Sequence, residues 1–376
     1  MLKNELGGRL KTARESLGLT LTEAAQKLGF QNYQTLKSIE SGEREVKVSE
    51  LSIFSRAYCI SIGNLLDQKE LQRPADFLWR NAPGNKTKKQ IEATIYYRCE
   101  QYNLLERLLN LKIKKGAFPE VTIISLRTIS DITNLAENVR DCLNLGRRPA
   151  FTLQKVLEQD FGMKILFEQI PEGSAVSLHH AEFGSIIVIN SEEVPWRRNY
   201  DLAHELFHLI TWKIISQNDL NDSDYFNETE KKADQFASIL LLPAVEVKAQ
   251  IMERVENQNA FTYSDLIDIA MEFGISAQAL LYRMANLGII EWQDANQRVK
   301  DQELIRLSRQ KRQTEKAEKP SSERFISLAV RCLRKSLISR GQFAKIVGID
   351  RSDIDDFILM TGLMEQEGTP LEIMAS

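Results

Sequence analysis

The sequence predicts an α+β protein, mostly helical, with N-terminal, central and C-terminal folded segments. Three observations predict it. Apolar residues recur at three- and four-residue intervals through most of the 376 residues, the spacing that lines one face of an α-helix. Two runs, 163–170 (MKILFEQI) and 184–190 (GSIIVIN), are short and rich in β-branched residues, and read as strands. A stretch at 298–319 has eight basic and four acidic side chains with little apolar content, so it reads as a linker or solvated helix before the last helical segment.

Composition bounds the function. The chain is 43% hydrophobic, and its length suits two or three domains that each bury a core. With 49 basic and 52 acidic residues the net charge is −3, which excludes a polybasic protein that holds nucleic acid by bulk charge. No window approaches the length of a membrane span without a charge, and the N-terminus is polar and amphipathic, unlike a signal peptide. Cys59, Cys99, Cys142 and Cys332 lie far apart with no CxxC pair, which suits a reducing cytoplasm and argues against a disulfide framework or thiolate zinc site. A cytoplasmic location without membrane contact is expected.

In chain order, Leu6, Leu10, Ala13 and Leu17 mark a first helix. Thr20 or Thr22 can cap a second, with Leu21, Ala24, Ala25 and Leu28 inward and Gly29 as its stop. A third is expected over about Asn32 to Ser41, then two more near Ser49–Tyr58 and Ser61–Leu66. Residues 70–145 read as helical, with NAPGNKTKKQ (81–90) as their loop. After the two strands, helical periodicity returns over about 194–290. The expected division is 1–70, a helical connector 71–119, a central domain 120–297, a charged linker 298–321, and a C-terminal helical domain 322–376.

The sharpest chemical signal is RRNYDLAHELFHLITW, 197–212. His204 and His208, four apart on a helix, share a face and can grip one metal ion. Glu205 adjoins the first of them, placed to act as a general base. Leu202, Ala203, Leu206, Phe207, Leu209 and Ile210 surround the trio. A helix apolar on nearly all sides is buried, and burying three titratable groups is costly unless a metal compensates them. A further ligand is expected in ETEKKADQFASILLLP, 228–243, where Glu230 and Asp234 lie one turn apart. Glu228 is the alternative ligand. Without a metal, the pair would be exposed acids favoured near a helix N-terminus.

RRNYDLAHELFH followed by ETEKKADQFASILLLP resembles the ImmA/IrrE family of metallopeptidases. The resemblance extends outward through LRTISDITNLAENVRDCLNLGRRPAFTLQKVLEQDFGMKILFEQI, GSIIVINSE and AMEFGISAQALLYRMANLGII, covering about 120–292. Phe207 stands where that family usually has Gly. The resemblance implies a zincin-like central domain with a small sheet, and a gluzincin-like site holding one Zn2+ per chain through His204, His208 and Glu230. Asp234 would orient a ligating imidazole, and Glu205 would be the catalytic base of an endopeptidase. It also implies an exposed edge strand at 184–190 for an extended substrate. Asn190, Tyr200, Arg197, His179 and His180 are candidate substrate or oxyanion contacts, with surface roles the plainer reading for the two histidines. The implied substrate is a repressor- or antitoxin-like protein in a stress-response or mobile-element system.

Residues 1–66, with GGRLKTARESLGLTLTEAAQKLGF and then IESGER, resemble the XRE family of helix-turn-helix domains. The resemblance implies five helices, the third of which reads double-stranded DNA. Asn32, Tyr33, Gln34, Lys37 and Ser38 would face DNA, and Arg44 and Lys11 would meet phosphates. Thr22 stands where the family usually has Gln, and FQNYQTLKSIE is one residue longer than its pattern. Residues 1–70 hold ten basic and nine acidic groups, little charge for a DNA surface. Paired half-sites would suit a homodimer. Two other readings stay open: a regulator whose metal site is structural or sensory, and a helical module that binds protein. The C-terminal segment has a similar cadence, but Asp353, Asp355 and Asp356 would repel phosphate, so it reads as packing or a protein contact.

Overall fold

The computed structural model of the chain describes residues 3–66, 85–111, 116–123, 126–170, 173–215, 222–258, 260–312 and 320–363. The N-terminal helices are α1 (Lys3–Ser16), α2 (Leu21–Lys27), α3 (Tyr33–Glu40), α4 (Val48–Ala57) and α5 (Ile62–Leu66), followed by α6 (Asn85–Leu108). Thr20 is the cap of α2: its side chain accepts from the Glu23 amide while the Glu23 carboxylate accepts from the Thr20 amide. Gly29, at φ +75°, then turns the chain toward α3 in the left-handed region that suits glycine. Leu10, Ala13, Leu17, Leu36, Ile39, Phe54 and Tyr58 close a common core. α1 crosses α3 at Gly7, where even a methyl group would overlap the carbonyl oxygens of Ile39 and Glu40. The buried Arg14 guanidinium donates to Glu40 at 2.8 Å and to the Leu19 carbonyl at 2.8 Å, fixing the end of α3 to α1.

The central elements are α7 (Ile129–Cys142), α8 (Pro149–Gln159), β1 (Lys164–Glu168), β2 (Ala175–His180), β3 (Gly184–Asn190), α9 (Pro195–Ile210), α10 (Ser223–Leu241), α11 (Ala244–Gln258), α12 (Tyr263–Glu272), α13 (Ala277–Asn286), α14 (Trp292–Arg298) and α15 (Gln302–Arg312). The three strands run in the order β1-β3-β2, with β1 parallel to β3 and β2 antiparallel to it. This corrects the edge position expected for 184–190: β3 is the central strand, and β1 and β2 are the edges. The continuous apolar run Ile186–Ile189 is the signature of a strand covered on both faces. β2 had no sequence signal of its own, because AVSLHH ends in two polar residues that hide its alternation. α9 packs across β2 and β3, and α10 packs on α9 and α7.

The last helices are α16 (Glu323–Arg334), α17 (Arg340–Val347) and α18 (Ile354–Met360). Contacts divide the chain into two compact units, one of Met1–Leu111 with Ser327–Ser376 and one of Lys112–Ile326. Within the first, Arg98 on α6 donates to the Ile346 carbonyl at 3.1 Å. Within the second, the buried Glu158 carboxylate accepts from the Ser322 hydroxyl at 2.6 Å and the Arg324 amide at 3.1 Å.

Two further expectations are revised. α6 begins at Asn85, inside the loop expected at 81–90, since Lys86, Lys88, Lys89 and Gln90 are good helix formers. The charged stretch is not solvated throughout: α15 buries Leu304, and its Lys311 pairs with Asp268 at 2.6 Å. Residues 71–84 and 112–115 of the expected connector, 313–319 of the linker and 364–376 lie outside the described residues. Among the described residues no single helix is long and apolar enough to cross a membrane.

Candidate functional site

α9 starts at Pro195, whose missing amide hydrogen and fixed φ suit a first helical position. Its inward face buries Asp201, Leu202, Ala203, Glu205, Leu206, Phe207 and His208. The helical spacing brings His204 Nε2 to 3.0 Å from His208 Nε2. α10 lies against this face and delivers Glu230, with Oε2 at 3.1 Å from His204 Nε2 and Oε1 at 3.3 Å from His208 Nε2. Asp234, one turn further along α10, meets His204 Nδ1 at 3.0 Å. Glu205 stands beside them, offering a carboxylate oxygen within 4.8 Å of the two imidazoles.

The donors fit an ion. Ligands held tetrahedrally at about 2.0–2.1 Å from zinc are about 3.3 Å from one another, and the three separations here are 3.0, 3.1 and 3.3 Å. With the Nδ1 proton of His204 given to Asp234, its Nε2 lone pair faces a second imidazole nitrogen and a carboxylate oxygen. Such a convergence of acceptors calls for a cation at its centre. Without an ion, a proton takes the place of the cation. Burial pushes His204 down, yet its hydrogen bonds to Asp234 and Glu230 carry it up to about 10. Burial pushes Glu230 up, yet the two histidines hold it well below the usual carboxylate range.

The other expected contacts are largely engaged by the protein itself. Asn190 donates to the carbonyls of Ile170 at 2.9 Å and Gly173 at 3.1 Å, holding these two residues against the end of β3. His180 is buried, stacks on Phe183 and accepts from the amides of Glu182 and Phe183 through Nδ1, so it shapes the β2–β3 turn. His179 is exposed. The Tyr200 hydroxyl donates to the Asp234 carbonyl at 2.9 Å, close to the metal-type cluster. Arg197 pairs with Asp201 at 3.0 Å and reaches Ser174 Oγ at 3.3 Å. Glu228, the alternative ligand, is exposed and pairs with Lys232 at 2.5 Å.

On α3, Tyr33, Gln34 and Lys37 are exposed on one side. Asn32 is the N-cap, accepting from the Thr35 amide at 3.2 Å, and Ser38 donates to the Thr35 carbonyl at 3.0 Å. Arg44 pairs with Glu50 at 2.7 Å, so its charge is already shared. Lys11 is exposed on α1.

Residues 158–285 match the Peptidase_M78 family, described as an IrrE N-terminal-like domain. Residues 10–64 match the helix-turn-helix family HTH_3. The chain carries an XRE-type helix-turn-helix domain and an IrrE-like Peptidase_M78 domain. The Peptidase_M78 match contains α9 and α10, and so every member of the His204 cluster. No curated protein matches the chain. Among solved structures, the chain is similar to a Mycobacterium tuberculosis transcriptional regulator at 15% identity and TM-score 0.30, over 50% of this chain and 51% of that one. It thus spans about half of that protein's length. The apo competence regulator ComR of Streptococcus vestibularis gives 11% identity and TM-score 0.17, over 97% of this chain and 100% of that one. ComR of Streptococcus suis gives 12% and 0.17, over 97% and 92%.

In the Peptidase_M78 domain, Phe207 fills the core. Its fully buried ring lies 5.5 Å from that of Phe236 and 5.7 Å from that of His208. The residue that sequence reasoning passed over is Asp201. It is buried one turn before His204, and burial raises it to about 6 against the pull of Arg197. Its signal was available: an acid four residues after Arg197 on the inward face of the metal-type helix.

Proposed function

We propose that this protein is a regulatory zinc endopeptidase joined to a DNA-reading domain, and that it cleaves a repressor- or antitoxin-like protein to change gene expression. The observation that carries the reading is the convergence of His204, His208 and Glu230 donors at 3.0–3.3 Å beside Glu205.

His204, His208 and Glu230 would hold one zinc ion, with Asp234 fixing the His204 tautomer. A bound zinc ion would supply Lewis-acid polarisation of the scissile carbonyl and activation of water. Glu205 takes a proton on its carboxylate oxygen from the attacking water and passes it to the leaving amine. The apolar packing of Leu202, Leu206 and Phe207 keeps bulk water from the inner side of the cluster. The outer edge of β2, beside α9, suits an extended peptide held through main-chain hydrogen bonds. In the N-terminal domain, Tyr33, Gln34 and Lys37 would enter the major groove, and a homodimer would suit paired half-sites.

The test compares wild type with Glu205→Gln in cells by sequencing newly formed protein termini, with metal analysis of both purified proteins. The expected result is one zinc per chain in each, and a cleaved regulator only with wild type. Cleavage that persists in Glu205→Gln would sink the mechanism. Zinc in both without any cleavage, together with salt-dependent binding of operator DNA, would favour a transcriptional regulator with a structural or sensory metal.

A further inference from the structure

Tyr200 lies on α9 one turn before His204, and the two side chains share a face. Both reach the same residue of α10. The Tyr200 hydroxyl donates to the Asp234 carbonyl at 2.9 Å, and His204 Nδ1 meets the Asp234 carboxylate at 3.0 Å. Asp234 is thus held at its main chain and at its side chain from consecutive turns of one helix. The main-chain contact is an addition to α10. Asp234 sits inside Ser223–Leu241, where a carbonyl already accepts from the amide four residues on, and the hydroxyl takes its second lone pair. The ring that carries this hydroxyl is itself anchored, because it packs on the core of Leu202, Leu206 and Phe236.

The Asp234 side chain is 60% exposed, whereas that of His204 is 16% exposed. Water competes for an open carboxylate, so one contact to a buried ring holds it weakly unless its own backbone is fixed. We propose that Tyr200 is a positioning residue of the zinc site. Its hydroxyl fixes the α10 main chain at Asp234, and the Asp234 carboxylate holds the His204 ring. Nε2 of that ring then faces His208 at 3.0 Å and Glu230 at 3.1 Å. The role rests on the reading that His204, His208 and Glu230 bind zinc, and it belongs to a residue outside the ligand set. A hydroxyl has one proton, and this one goes to Asp234, so Tyr200 is not the oxyanion donor. Groups that orient a ligating imidazole change metal affinity by about 10–100-fold when removed.

The test measures the zinc affinity of the full chain by competition with a chelating dye, in wild type, Tyr200→Phe, Asp234→Ala and the double variant. Phenylalanine keeps the ring and removes only the hydroxyl. Tyr200→Phe should weaken zinc binding roughly tenfold, and Asp234→Ala by at least as much. The double variant should bind zinc as weakly as Asp234→Ala alone, because Tyr200 acts through that carboxylate. Tyr263→Phe is the control. It removes a hydroxyl that donates to Asp301 at 2.8 Å in the same unit, and should leave zinc affinity unchanged. A purely structural hydroxyl would lower the zinc-free melting temperature in both tyrosine variants without touching zinc affinity. Equal zinc affinity in wild type and Tyr200→Phe therefore overturns the proposal, as do losses that add in the double variant. Proteolysis lost in Tyr200→Phe at unchanged zinc affinity also overturns it, and returns the hydroxyl to the substrate. A wild type that binds no zinc would sink the metal reading and the proposal together.

Discussion

Helices α9 and α3 both present polar residues, in opposite surroundings. α9 sets His204, His208 and Glu205 in an apolar interior and closes them with Glu230 and Asp234 from α10. α3 turns Tyr33, Gln34 and Lys37 to solvent and spends Asn32 and Ser38 on its own backbone. Buried polar groups are costly unless every one is compensated, so on α9 the geometry itself narrows the chemistry. On α3 the exposed side chains are open to water, and the fold leaves their partner open.

Metal removal is expected to have the largest effect. Chelation of the purified protein should lower its stability, and returning zinc at about a thousand times its dissociation constant should restore about 4 kcal/mol by mass action. Thermal melting with and without zinc measures this, and His208→Ala should abolish the zinc response. An equal response in that variant would mean that the ion sits elsewhere. Glu40→Ala comes next, because the N-terminal domain has a buried charge of its own. Removing the main partner of Arg14 should cost about 3 kcal/mol, because only the exposed Glu15 carboxylate and the Leu19 carbonyl then face the buried guanidinium. Denaturant unfolding of the protein follows it, and a loss below about 1 kcal/mol would show that water reaches the pair.

Glu158 sharpens the contrast, since it is a buried acid held by protein donors alone. Burial carries it up to about 7, although Ser322 and Arg324 pull it down. The native carboxyl keeps its proton to about 7, while the unfolded one releases it near its ordinary value of 4.5. Between those limits the native state binds more protons, so stability falls as pH rises, by on the order of 2–3 kcal/mol across the window. Glu158→Gln, which mimics the protonated form, should flatten that slope in unfolding measured from pH 4 to 8. The smallest effect is expected on the exposed helix. Asn32→Ala should cost about 1 kcal/mol through loss of the α3 cap. Asn32→Asp, which keeps the cap, should cost less. Equal losses would place the role of Asn32 outside capping.

The metal-type cluster was legible in the sequence because its constraint is local. Two histidines at i and i+4 must share a face, and a helix with apolar residues on all sides must be buried. Glu230 and Asp234 were legible for the same reason, as neighbours on a second amphipathic helix. The sheet was not. Strand order depends on contacts remote in sequence, and GSIIVIN reads identically as a buried edge or a central strand. β2 escaped because His179 and His180 break its pattern, and His180 is spent on its own turn. The charged stretch misled because net charge conceals packing: one buried Leu304 and two paired cations dock α15 on the central unit. Asn32 and Arg44 were read as DNA contacts from position alone, and sequence spacing cannot show that a cap or a nearby Glu50 already holds them.

The crossing at Gly7 has a genetic corollary. Every missense allele of that codon adds at least a β-carbon where two carbonyl oxygens of α3 already stand. A saturation scan should therefore score the position as uniformly intolerant, alanine included. The injury would appear as α3 pushed off its mount, in a variant whose exposed α3 side chains are all intact.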